Sequence, residues 1–140
     1  MLATTTIQKA LDDAIAHLGA DSGTIHVKDP ARAVLLLAAS RNIPDVVLDK
    51  VKEVPWGKGM AGLAVERRQP VSVCNIQTTD STDVRPGAKA AGVQGALVVP
   101  MLLHGEAVGA FGVGCNGDRE FNADETQWLL DYALRLAEQL

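Results

Sequence analysis

The chain contains few residues of several types, and each shortage excludes a class of protein or constrains how the core is built. Aromatic residues make up 4% of its 140 residues, so its core has to be built mainly from alanine, valine, leucine and isoleucine. Cys74 and Cys115 are its two cysteines, too few for a disulfide scaffold. No apolar run approaches the roughly 20 residues that span a bilayer, and residues 1–6 lack the features of a signal peptide. These absences predict a cytoplasmic protein.

An excess of positive charge is also missing. Lysine and arginine number 13 against 17 aspartates and glutamates, which gives a net charge of −4 and no basic surface for a phosphate backbone. We therefore expect no nucleic-acid partner and no membrane partner. Apolar residues make up 47% of the chain and charged residues 21%, as in ordinary globular proteins. With no internal repeat and no linker, residues 1–140 are predicted to form a single domain.

Two amphipathic helices are predicted at the ends of the chain. In residues 4–19, Ile7, Leu11 and Ile15 recur at helical spacing, and a glycine follows as a stop signal. Asn122 and Glu125 form a capping-box pattern at the start of a helix that runs to the last residue. Its apolar face comprises Trp128, Leu129, Tyr132, Ala133, Leu136 and Leu140. Shorter helices are predicted for residues 43–54 and 60–68, with residues 54–59 irregular.

The strands are predicted from alternation and from short apolar runs. They cover residues 22–28, 33–39, 71–74, 94–103 and 106–114. Short links join residues 22–28 to 33–39 and residues 94–103 to 106–114, so an antiparallel sheet is favoured over a parallel one. Residues 75–87 are predicted to form a long polar loop, and residues 88–91 one helical turn.

Four segments in order resemble the GAF family of ligand-binding domains. They are residues 54–64 (VPWGKGMAGLA), residues 92–101 (GVQGALVVPM), residues 105–111 (GEAVGAF) and residues 121–125 (FNADE). The resemblance implies an α/β (α+β) fold with a central antiparallel sheet of about five strands. The N- and C-terminal helices would lie on one face, and short helices plus the long loop would enclose a ligand pocket on the other. Members of this family bind cyclic nucleotides, haem, bilins, small anions or metabolites, so the resemblance names no single cofactor.

Several residues are candidates for lining such a pocket. Lys58 stands beside the start of a glycine-containing helix, where free N–H groups can hold an anion, although both glycines would equally serve turns and close packing. Trp56 would stack on a ligand or fill the core. Arg85 would reach a carboxylate or phosphate or remain solvated, and His26 would line the cavity or be satisfied elsewhere. The full set of expected ligand-binding residues is Trp56, Lys58, Met60, Cys74, Arg85, Val93 and Met101.

Catalysis is not expected. The resemblance extends to free methionine sulfoxide reductases, which need a nucleophilic and a resolving thiol, but residues 59–62 and 82–85 contain no cysteine where that family has them. In the family's sheet order, one strand would separate those of Cys74 and Cys115, a spacing of about 9–10 Å, whereas a disulfide needs Cα atoms within roughly 7 Å. No bilin-attaching cysteine is present, and the three histidines lack metal-ligand spacing.

Three functions remain open at this point. The leading one is a sensory or regulatory domain that binds a small molecule and signals through a protein partner or a homodimer formed by the terminal helices. A reductase-type enzyme and an interaction domain without a ligand are the alternatives. If the chain is a complete protein, its output must pass through association. If it is part of a longer one, its terminal helices would join neighbouring domains.

Overall fold

The computed structural model describes residues 4–73 and 94–140. The helices among them are α1 (Thr4–Leu18), α2 (Asp45–Val51), α3 (Gly59–Arg67) and α4 (Ala123–Ala137). The strands are β1 (Ser22–Lys28), β2 (Val34–Arg41), β3 (Glu53–Pro55), β4 (Val71–Val73), β5 (Gly95–Leu103) and β6 (Glu106–Cys115). The predicted loop and helical turn between residues 75 and 91 lie outside the described residues, as do Cys74, Arg85 and Val93.

The described strands form one antiparallel sheet in the order β3-β2-β1-β6-β5-β4. The two predicted hairpins are confirmed, and β1 pairs with β6 to join them at the centre of the sheet. Each hairpin contains a one-residue irregularity, between Ile25 and His26 in the first and between Met101 and Leu102 in the second. The α+β fold class predicted from the sequence is therefore confirmed.

The sheet has one strand more than the sequence predicted. The helix expected over residues 43–54 ends at Val51, and Glu53–Pro55 pairs with β2 as a short edge strand. Trp56 continues this contact, because its N–H donates to the carbonyl of Ala33 at 3.0 Å. Three residues are too few to show alternation, and Pro55 is tolerated because an edge strand has one unpaired side.

One face of the sheet is covered by the two terminal helices. Residues of β1, β5 and β6 that alternate toward this face pack under α1 and α4, including Ile25, Leu97, Val99, Met101, Phe111 and Val113. Five residues of these helices are buried completely against them: Leu11, Ala14, Leu129, Ala133 and Ala137. This is the main core, and it packs the central strands against the long helices.

The ends of the terminal helices are fixed by the signals seen in the sequence. At α4, the side chain of Asn122 accepts from Glu125 N–H at 2.8 Å, and the carboxylate of Glu125 accepts from Asn122 N–H at 3.1 Å. The predicted capping box is thus confirmed. Gly19 follows α1 with a φ of +65°, which suits a residue without a side chain after a helix.

The other face carries the shorter helices α2 and α3, and its apolar contacts are divided into two smaller clusters. One joins Met60 and Ala64 to Val71 and Ala96. The other joins Leu35, Val54 and Val65 to Ala107 and Ala110. In the part of the chain that the structure describes, no helix has the length and apolar character needed to span a membrane.

Candidate ligand-binding site on the short-helix face

The sheet face under α2 and α3, here called the short-helix face, has a floor of mixed character. Thr24, His26 and Lys28 alternate toward it from β1, and Ala110 and Gly112 do so from β6. Pairing places Thr24 beside Gly112 and His26 beside Ala110. The middle of this face is therefore made of a hydroxyl, an imidazole, a methyl group and a glycine, in contrast to the large apolar side chains on the opposite face.

A tight turn leads from the sheet edge into α3. The N–H of Lys58 donates to the carbonyl of Pro55 at 3.1 Å, and the N–H of Gly57 donates to that of Gly62 at 3.0 Å. Gly57 and Gly59 have φ values of +82° and +67°, a region that favours glycine. The chain approaches itself so closely that a Cβ on Gly62 would lie 2.5 Å from the carbonyl oxygen of Pro55. Two of the residues predicted from the sequence, Trp56 and Lys58, are held by this turn.

The structure brings some of the predicted site residues to the short-helix face. Trp56 is half-buried beside the second cluster, with the ammonium of Lys28 at 5.5 Å from its ring centre. Met60 is buried against Val71 in the first cluster. Lys58 is exposed on the turn between them and makes no side-chain hydrogen bond that caps α3.

Met101 does not join this group, which corrects the expectation that it lines the same site. It is completely buried under the terminal helices, on the face opposite Trp56 and Met60. Alternation along β5 is the physical reason, because it directs Val98 toward the short-helix face and residues 97, 99 and 101 away from it. The other three predicted residues, Cys74, Arg85 and Val93, lie outside the described part of the chain.

His26 is the most unusual polar residue on the short-helix face. Its side chain is on the central strand, and only 3% of the residue is exposed. Its Nε2 lies 2.9 Å from the carbonyl oxygen of Val51 at the end of α2. Because a carbonyl can only accept, Nε2 must carry the ring proton, and Nδ1 is then an acceptor in the neutral ring. Nδ1 is buried and has no hydrogen-bond partner among the residues that the structure describes.

Burial also controls the charge of His26. Desolvation lowers the pKa of the imidazole below its usual value, and the hydrogen bond to Val51 opposes this only in part. His26 is therefore neutral at neutral pH. The sequence predicts only that His26 lines the cavity or is satisfied elsewhere. The bond to Val51 joins positions 25 residues apart, so no local pattern indicates it.

Cys115 is a buried free thiol at the end of β6. Burial raises its pKa above the usual value, against a smaller lowering by the charge of Arg119, whose Nη1 lies 3.8 Å from Sγ. The strand order also confirms that β5 separates β4 from β6. Within residues 4–73 and 94–140, no group of three His, Cys, Asp or Glu side chains is arranged to hold a metal ion.

A known protein family shares this architecture: an antiparallel sheet with long terminal helices on one face and short helices on the other. The family model described as the GAF domain matches residues 3–137. The chain belongs to the GAF domain family. No curated protein matches it in sequence.

Several solved structures are similar to this GAF domain. The GAF domain of a phosphoenolpyruvate-protein phosphotransferase from Coxiella burnetii is 20% identical, with a TM-score of 0.81 over 96% of this chain and 80% of that one. A domain of a two-component sensor histidine kinase protein from Sinorhizobium meliloti is 19% identical, with a TM-score of 0.78 over 99% and 91% of the two chains. The free methionine-R-sulfoxide reductase of Neisseria meningitidis is 17% identical, with a TM-score of 0.78 over 97% and 76%. At these identities the likeness establishes the fold alone, which domains of a phosphotransferase and a sensor kinase share with a reductase.

Proposed function

We propose that this GAF domain is a non-catalytic sensor that binds a small molecule on its short-helix face. The observation that carries the proposal is the difference between the two sheet faces. The terminal-helix face is filled with large side chains such as Phe111 and Leu97. The short-helix face instead carries Thr24, Ala110 and Gly112 at its centre, together with a buried histidine. Small-molecule sites are concave and mostly apolar, with a few polar groups that orient the ligand; the small side chains here leave room for a ligand beside the polar atoms of Thr24 and His26.

A pair of substitutions in β1 tests this site. Thr24→Leu adds bulk on the short-helix face, whereas Val27→Leu adds bulk at a half-buried position of the same strand on the opposite face. In a thermal-shift screen against nucleotides, small anions and metabolites, we expect a compound that raises the Tm of the wild type and of Val27→Leu but not of Thr24→Leu. If no compound raises the Tm of the wild type, the chain is an interaction domain and the sensor proposal fails.

The signal would leave the domain through the terminal helices, which we propose form a homodimer. Outward from the core, Trp128 stacks on His17 at 3.8 Å and on Tyr132 at 5.0 Å between ring centres. An open groove of about 300 Å³ continues this surface, lined by Thr6, Lys9, Ala10, Asp13, Tyr132, Arg135, Leu136 and Gln139. In this groove the ammonium of Lys9 pairs with the carboxylate of Asp13 at 3.3 Å, and Arg135 lies over the ring of Tyr132, so a second copy related by a twofold axis would meet a surface of mixed charge and aromatic character. Leu136 is 4% exposed and belongs to the core, whereas Leu134 is 38% exposed.

Two exposed apolar residues give a matched test of the dimer. Leu134→Glu places a charge on α4, and Val46→Glu places one on α2, where Val46 is 64% exposed. We expect sedimentation at high micromolar concentration to show a dimer for the wild type and for Val46→Glu, and a monomer for Leu134→Glu. A wild-type monomer under the same conditions would remove the homodimer from the proposal.

The absence of catalysis can be tested directly, since the fold is shared with a reductase. The raised pKa of Cys115 disfavours the thiolate that attacks a sulfoxide, and a methionine and an alanine stand at positions 60 and 61 at the start of α3. Incubation with free methionine sulfoxide and a dithiol reductant is expected to give no turnover. Turnover that is lost in Cys115→Ser or in Cys74→Ser would instead identify an enzyme.

A further inference from the structure

We propose that Nδ1 of His26 is the hydrogen-bond acceptor for the ligand of the short-helix face, and that this ligand is a compact, uncharged molecule with an O–H or N–H donor. The inference rests on the proposed ligand-binding function and specifies its chemistry. Two independent features support it: a buried acceptor without a described partner, and a floor of small side chains around the same strand position.

The orientation of the ring is fixed by α2. Nε2–H of His26 donates to the carbonyl of Val51, one of the last carbonyls of that helix, which have no partner within the helix itself. This bond uses the only proton of the neutral ring. It also leaves Nδ1, the nitrogen nearer the backbone of β1, as a lone-pair acceptor close to the floor of the face.

A buried acceptor without a donor is unfavourable, because it has lost its bond to water and gained nothing in exchange. His26 is nevertheless placed on the central strand, between Thr24 and Lys28 and beside Ala110. The ammonium of Lys28 lies over the ring of Trp56, 5.5 Å from its centre, and Trp56 directly follows the edge strand β3. A molecule that brings its own donor would complete the hydrogen bonding of this position.

The same geometry selects the class of ligand. A carboxylate or a fully ionised phosphate ester presents only acceptors, so its lone pairs would oppose that of Nδ1. A cation would lose its hydration on a face whose buried neighbours are Ala110, Val65 and Leu35. An alcohol, phenol or secondary amide avoids both penalties, and its apolar part matches these neighbours.

Two substitutions separate the roles of the ring nitrogens. His26→Gln keeps an N–H donor about where Nε2 lies, so the bond to Val51 can form, but removes the acceptor at Nδ1. His26→Asn places its oxygen about where Nδ1 lies and loses the reach to Val51. The first variant should therefore lose recognition of a donor while keeping α2 in place, and the second should keep recognition and loosen α2.

The test compares small probes that differ only by a methyl group on the donor: phenol against anisole, and N-methylacetamide against N,N-dimethylacetamide. Binding is followed by nitrogen-15 NMR of the histidine rings at neutral pH, which reports hydrogen bonding to Nδ1 directly. In the wild type, we expect each donor probe to bind about fivefold more tightly than its methylated partner, the gain of one net hydrogen bond. The Nδ1 resonance of His26 should shift only with the donor probes, and the preference should vanish in His26→Gln and remain in His26→Asn.

Each other result contradicts the inference in a recognisable way. If both members of a pair bind equally and the Nδ1 resonance does not move, the domain binds small molecules but His26 forms no hydrogen bond with them. If the probes bind and the preference survives in His26→Gln, another group supplies the acceptor. If no probe binds while the compound screen succeeds, the ligand class is wrong. If neither experiment finds a ligand, the sensor function itself falls. The comparison within the wild type needs no variant, so it stands even if His26→Gln does not fold.

Discussion

Replacement of Gly62 by alanine is expected to destabilise the domain, although alanine is the better helix former. Gly62 lies inside α3, where propensity alone predicts that alanine stabilises by about 1 kcal/mol. Its added Cβ would lie 2.5 Å from the carbonyl oxygen of Pro55 and 3.1 Å from the nitrogen of Gly57. Both of these are backbone atoms, so the overlap can be relieved only by moving α3 away from the turn.

The size of the effect follows from these opposed contributions. Overpacking of a tight contact typically costs about 1–3 kcal/mol. Moving α3 also weakens the bond from Gly57 N–H to the Gly62 carbonyl, which adds about 1 kcal/mol. After the gain in propensity, a net loss of about 2 kcal/mol remains. For a chain of this length that corresponds to a Tm lower by about 7 °C.

Gly117→Ala provides the control, because a Cβ at that position would meet nothing within 4 Å. Urea unfolding and thermal melting followed by circular dichroism should show Gly117→Ala close to the wild type and Gly62→Ala clearly less stable. If Gly62→Ala melts at or above the wild-type temperature, the turn yields easily. The close approach then does not fix the position of Trp56 and Lys58.

Three further substitutions test local interactions. Asn122→Ala removes the capping box of α4 and should lower the free energy of unfolding by about 1–2 kcal/mol in urea titrations, whereas Asn122→Asp should lie close to the wild type. Burial lowers the pKa of His26, so at acidic pH the unfolded chain binds a proton that the folded chain does not. Stability should therefore fall as the pH drops below about 6.5. If the stability of His26→Gln falls equally between pH 7 and pH 5, other groups are responsible. Asp12, whose pKa is lowered chiefly by its hydrogen bond from Arg41, should be replaceable by asparagine with a small loss of stability that disappears at about 1 M NaCl.

The sequence predicted well those features that depend on neighbouring residues. The capping box around Asn122 and the alternation of residues 22–28 are local patterns, and both are present in the structure. β3 was missed because its three residues owe their extended form to pairing with β2, which no local pattern encodes. The placement of β5 between β4 and β6 followed from the family resemblance, and the structure shows the same arrangement.

The candidate site was harder to predict because it depends on which way each strand faces. Trp56 and Met60 reach the short-helix face, but Met101 was assigned there and instead packs under the terminal helices. The sequence shows that Met101 and Val98 point to opposite faces of β5. Which of the two faces the terminal helices depends on packing between residues far apart in the chain. Nδ1 of His26 is left without a described partner because Nε2 bonds to the end of α2. This arrangement joins distant parts of the chain, so only the structure reveals it.

The edges of the sheet limit how this domain can meet other proteins. β3 at one edge and the described part of β4 at the other are each three residues long, and Pro55 at the end of β3 lacks an N–H to donate. A strand as short as β3 offers little backbone for an incoming peptide to extend, so recognition by strand addition is disfavoured at that edge. The same feature protects that edge from edge-to-edge stacking. A partner would instead recognise side chains on the helices, where a change of sequence can alter binding specificity without disturbing the sheet.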